Sequence, residues 1–73
     1  MKQTYINAMR QLINAKKAKG HKSVLRTELN IAVATITGDG EPNGYLVTEC
    51  INDLASVFGT QYITTGKKAK LFI

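Results

Sequence analysis

The ten basic side chains of this 73-residue sequence are arranged as if to hold a polyanion. Residues 1–26 carry Lys2, Arg10, Lys16, Lys17, Lys19, Lys22 and Arg26 and no acid. Residues 27–66 carry all five acids, Glu28, Asp39, Glu41, Glu49 and Asp53, and no base. Residues 67–73 add Lys67, Lys68 and Lys70. If the two ends meet in the fold, as chain termini often do, their cations form one positive face. Such a face displaces the condensed counterions of a nucleic acid, a favourable and salt-dependent term. The competing explanation is that these lysines are solvated helix ends and turns, with acidic proteins as partners.

Other chemistry finds too few residues. His21 and Cys50 are the single histidine and the single cysteine. A zinc site needs three or four ligands, so no metal is expected. A Cys–His nucleophile pair lacks any orienting signature, and Cys50 reads as a small core residue. Asp39, Glu41, Asn43 and Gly44 loosely match the opening of a calcium loop. Its twelfth position would be Cys50 rather than a bidentate glutamate, and Pro42 interrupts it. Gly38-Asp39-Gly40 is not followed by the lysine of a phosphate loop. Tyr5, Tyr45, Tyr62, Phe58 and Phe72 are scattered, so core packing is expected of them. No enzyme and no cofactor is expected.

A chain of 73 residues is one domain, and it buries only about 60% of its unfolded surface. Apolar residues at 44% and charged ones at 21% are ordinary globular usage, which argues against disorder. No apolar run reaches the roughly 20 residues of a membrane span, and the first residues lack the apolar stretch of a signal peptide. One cysteine and no N-x-S/T acceptor fit a reduced, cytoplasmic setting.

Three helices and a hairpin would position the cations. Tyr5, Ile6, Met9, Leu12 and Ile13 make one face of a helix over residues 3–18, with Thr4 as its N-cap and Gly20 as its stop. Residues 23–37 are open. Ser23 can cap a second helix striped by Leu29, Val33 and Ile36, or a helix over 24–30 can precede a strand of the β-branched residues 31–37. The run GDGEPNG (38–44) is a turn. Val47, Cys50/Ile51, Leu54 and Val57/Phe58 stripe a helix over 45–58, closed by Gly59. The segment from Gln61 reads as a hairpin, Tyr62 to Thr65 and Ala69 to Ile73, turning near Gly66 and Lys67.

This order resembles a winged helix-turn-helix domain. VLRTEL (24–29) is similar to the start of its second helix, and residues 46–73 look like its third helix, glycine stop and wing. The resemblance implies an α+β fold with the third helix in a DNA major groove and the wing on flanking phosphates. Carried over, Thr48, Asn52 and Ser56 would face the groove, and Lys67, Lys68 and Lys70 would be wing contacts. Glu49 and Asp53 depart from the pattern, because carboxylates there repel phosphates. A second resemblance lies in IAVATITGDGEPNGYLV and YITTGKKAK, which are similar to the first strands of flavin-binding split barrels of the pyridoxamine-phosphate-oxidase type. The chain is roughly half the length such a barrel needs.

The expectation is a small α+β, winged helix-like domain that binds DNA, rather than RNA, in transcription regulation. Lys16, Lys17, Lys19, Lys22 and Arg26 from one end and Lys67, Lys68 and Lys70 from the other would neutralise phosphates. Thr48 and Asn52 would read bases. A homodimer is expected, because one such domain covers a short site. Small size and basic charge are the sole grounds for a phage or plasmid origin. The alternative is an inhibitor or adaptor that docks on a host polymerase or nuclease complex through its acidic surface.

Overall fold

A computed structural model describes residues 2–65 and 68–73. The elements run α1 (Lys2–Ala18), β1 (Ser23–Leu25), α2 (Arg26–Thr37), α3 (Gly44–Phe58), β2 (Tyr62–Ile63) and β3 (Lys70–Phe72). The fold is α+β, with three helices and a three-stranded antiparallel sheet in the order β1-β3-β2.

Helix α1 buries Tyr5, Ala8, Met9 and Ile13, a spacing that keeps all four on one face. It begins at Lys2, so Thr4 lies inside the helix and does not cap it. Its end is as expected: Gly20 adopts φ 82°, and its N–H donates to the Lys17 carbonyl at 2.9 Å. Helix α3 buries Val47, Cys50, Ile51, Leu54 and Ala55. Asn43 caps it, its side-chain oxygen accepting from the Leu46 N–H at 3.1 Å. Gly59 ends it at φ 67°.

The open stretch resolves as the helical alternative over Arg26–Thr37, preceded by a short strand that neither alternative included. Ser23 starts a strand rather than capping a helix, and residues 31–37 are helical. Leu29 and Val33, four apart on α2, are both fully buried. That packing outweighs the weak strand preference of β-branched side chains. The N-cap position of α2 is Leu25, which has no side-chain acceptor. Glu28 compensates by accepting the Leu25 N–H at 3.2 Å. Helices over 26–37 and 44–58 also leave no room for the strands of a flavin-binding split barrel.

In the turn after α2, Gly38 alone has positive φ, at 73°. The Asn43 N–H donates to the Tyr5 hydroxyl at 3.1 Å, tying the turn to α1. Tyr5 is core, as expected of an aromatic, but Tyr45 is 92% exposed. Among the described residues, no helix is long and apolar enough to cross a membrane.

The sheet closes the core. Val24 of β1 and Leu71 of β3 are cross-strand partners, and both are fully buried. Replacing Leu71 with Ala should therefore lower unfolding free energy by about 3 kcal/mol. Chemical denaturation would read this, and a loss below about 1 kcal/mol would show that the C-terminal strand is not part of the cooperative unit.

Candidate nucleic-acid interface

The β1–β3 ladder brings the two basic ends of the chain together. Ser23, Val24 and Leu25 pair with Phe72, Leu71 and Lys70. The ladder is extended at both ends: the Ile73 N–H donates to the Lys22 carbonyl at 3.0 Å, and the Arg26 N–H donates to the Ala69 carbonyl at 2.9 Å. Strand alternation turns Val24 and Leu71 inward, which leaves Leu25 and Lys70 on the outer face. The Lys70 ammonium lies 5.6 Å from the Phe72 ring centre. Lys68 is exposed and lines a shallow cleft with Leu25, Arg26, Thr27 and Ala69. Lys67 lies outside the described residues.

The cations of α1 divide into two kinds. Lys16 pairs with Glu28 of α2. Lys17 sits 4.4 Å from the Phe58 ring centre, with Arg10 at 5.8 Å from the same ring. These contacts hold Lys16 and Lys17 against the protein. Lys19 and Lys22 are exposed, and no ion pair involves them among the described residues. His21 is exposed beside them.

Arg26 is a tie between elements. Its Nη1 donates to Thr48 Oγ1 at 2.7 Å and to the Tyr62 hydroxyl at 2.9 Å, and its Nη2 donates to the Gly44 carbonyl at 3.1 Å. It thus joins α2 to α3 and β2 without a carboxylate partner among the described residues. Thr48 accepts from Arg26 and donates to the Gly44 carbonyl at 3.0 Å. Two expected contact residues are therefore bonded to each other, and the Thr48 hydroxyl is already occupied.

The outer strip of α3 is formed by Tyr45, Glu49, Asn52 and Ser56, all exposed and spaced to share one side of a helix. Glu49 on this strip and Asp53 beside it share one cation. The Lys2 ammonium lies 2.6 Å from Asp53 and 3.1 Å from Glu49. Their hydrogen bonds, Asp53 first, hold the Lys2 ammonium well above the usual lysine range. Cys50 is buried, and burial pushes its thiol up. No cluster of metal-ligating side chains occurs among the described residues.

Two features escaped the sequence reading. One is the bridge from Lys2 to Glu49 and Asp53, which nothing local signals. The other is the exposure of Tyr45, which its place beside the α3 stripe does suggest: it lies two residues before Val47, on the opposite side of the helix. No family model, no curated protein and no solved structure matches the chain.

Two predictions follow from this geometry. Hydrogen bonds from the Lys16 ammonium and, next, the Leu25 N–H hold the Glu28 carboxyl below its usual range, with the charge of His21 adding to the effect. A folded-state value below the unfolded one stabilises at pH above the unfolded value, about 4.3, and that stability fades as pH falls through the folded value. Melting of the native chain should thus be more acid-sensitive below about pH 4.3 than that of Glu28→Gln. Parallel pH profiles would remove the assigned ion pair. Arg26→Gln should lower stability by about 2 kcal/mol, because its charged donors serve three acceptors on two elements. A thermal midpoint unchanged from the native value would contradict the tie.

Proposed function

We propose that the protein is a small cytoplasmic DNA-binding regulator that grips phosphates with its sheet edge while α3 faces the duplex. The observation that carries this reading is the β1–β3 ladder, which joins the segment of Lys22 to that of Lys68 and Lys70. No carboxylate pairs with these three among the described residues. The order α1-β1-α2-α3-β2-β3 with β3 central supports a winged helix reading, in which a hairpin stands beside the helix that reads the groove. The Lys2 ammonium offsets one of the two charges of Glu49 and Asp53, which lessens the repulsion between α3 and phosphates. Lys19, Lys22, Lys68 and Lys70 carry the phosphate contacts, with Lys67 beside them in sequence, and two copies bind adjoining half-sites. Transcription regulation by a phage or plasmid protein fits the small size and positive charge.

A protein-docking reading, as an inhibitor or adaptor of a polymerase or nuclease complex, is favoured by Asp39 and Glu41. Both are exposed in the turn before α3 and without an ion pair among the described residues.

Binding to duplex DNA across a salt series separates the two. Lys68→Ala with Lys70→Ala should weaken binding to all sequences and make the log–log salt slope shallower by about 2. An unchanged slope, with loss of a protein partner on Asp39→Ala and Glu41→Ala instead, would favour docking.

A further inference from the structure

We propose that two copies of this chain associate through the outward face of α2, the helices packed antiparallel across a two-fold axis. The inference deepens one part of the reading above, the pairing of copies, and rests on that part alone; it does not require DNA. Leu29 and Val33 of α2 face the core, and Ile31, two residues from each, points the opposite way. Ile31 is 63% exposed. Thr27 and Thr35, one turn to either side of it, are exposed as well. Residues 29–37 hold no charged side chain. Glu28, the nearest charge on the helix, is turned to Lys16 of α1. A surface helix ordinarily carries charged residues opposite its core stripe, and a helix without them is ordinarily covered.

The two ends of this face carry opposite charge, which selects a second copy as its cover. At the start of α2, two shallow clefts meet at Arg26 and Thr27. One is lined further by Asn30 and Ile31, the other by Leu25, Lys68 and Ala69. The helix dipole adds positive potential there. Arg26 has no carboxylate partner among the described residues, and it keeps N–H donors to spare beyond those given to Thr48, Tyr62 and Gly44. At the other end Asp39 and Glu41 are exposed and without an ion pair among the described residues. Their turn is already ordered: Asp39 accepts the Glu41 N–H at 3.0 Å, and the Asp39 N–H donates to Thr37 Oγ1 at 3.3 Å. In an antiparallel pair whose axis passes the level of Val33, Ile31 of one copy lies beside Thr35 of the other, and Asp39 falls opposite Thr27. Each acidic turn then meets the basic end of the other helix, and the symmetry makes that contact twice. A parallel pair would set like charges together. The 12 residues of α2 span about 18 Å. The contact is therefore at the low end of interface sizes, with a dissociation constant of about 10–100 µM.

Sedimentation equilibrium of the chain free of nucleic acid, from about 1 µM to about 500 µM, tests this. The native chain should pass from monomer to dimer over that range. Ile31→Glu should raise the dissociation constant at least about tenfold, because it would bury an unpaired carboxylate at the contact. Its thermal midpoint at the lowest concentration should not fall, since the side chain lies outside the core. Asp39→Asn with Glu41→Gln should raise the constant about fivefold and remove the salt dependence of the native association. A native chain that stays monomeric overturns the inference together with the pairing of copies, and leaves the face to a different protein. A dimer that Ile31→Glu does not weaken lies on another surface and overturns the inference alone. So does a dimer indifferent to Asp39→Asn with Glu41→Gln, or a lowered midpoint in Ile31→Glu. Phosphate binding is read by the DNA salt series instead, so its failure is distinct from each of these.

Discussion

The pairing of Val24 with Leu71 is the contact on which the arrangement depends. Both side chains are fully buried, and their strands are the outer and central members of one sheet. Isolated short strands are not stable in water, so this ladder exists because it lies on the helices. Burying two such side chains contributes about 1.5–3 kcal/mol each. Repulsion between exposed lysines in water is about 1 kcal/mol even at 4 Å and is screened beyond about 10 Å. Core packing therefore wins, and it holds the basic ends of the chain together against their own charge.

Helices α1 and α3 were legible because each carries a long apolar stripe and ends on a glycine with positive φ, Gly20 and Gly59. The α+β class and the C-terminal strand pair were legible for a similar reason, the β-branched and aromatic residues of Tyr62–Ile63 and Lys70–Phe72; the turn expected near Gly66 and Lys67 lies outside the described residues. Strand β1 was not legible. Three residues are too few for periodicity to register, and β1 is defined by a partner 47 residues away, Leu71 opposite Val24. The helical state of 31–37 was one of two readings that the local pattern left open. Its β-branched residues favour a strand locally, and only the burial of Leu29 and Val33 decides otherwise.

The candidate site was legible in its charge but not in its bonding. Acid-free ends can be counted from the sequence, and the meeting of those ends, which the β1–β3 ladder supplies, was a stated condition of the reading. Which cations remain available could not be counted. Lys16 is paired with Glu28, Lys17 and Lys70 lie over the Phe58 and Phe72 rings, and Arg26 is tied to Thr48, Tyr62 and Gly44. These partners lie up to 41 residues from the cation in the chain, as Lys17 does from Phe58. A composition argument treats all basic residues alike, whereas the fold sorts them into ties and free charges.

That sorting gives α3 an unusual electrical character. One flank meets Arg26 and loses the Thr48 hydroxyl to it; the other meets Lys2, which offsets one of the two charges of Glu49 and Asp53. Between them runs a strip of Tyr45, Glu49, Asn52 and Ser56, on which Glu49 is the one charged side chain. In the proposed reading, attraction to a polyanion, which falls steeply with salt, would come from the sheet edge and the α1 turn rather than from α3. A strip rich in lysine would bind every sequence more tightly without choosing among them. A strip with unpaired carboxylates would oppose the approach that the lysines promote. The Lys2 bridge lowers the second obstacle by one charge, so the surface of α3 opposes a polyanion less than its own sequence, with two acids and no base, implies.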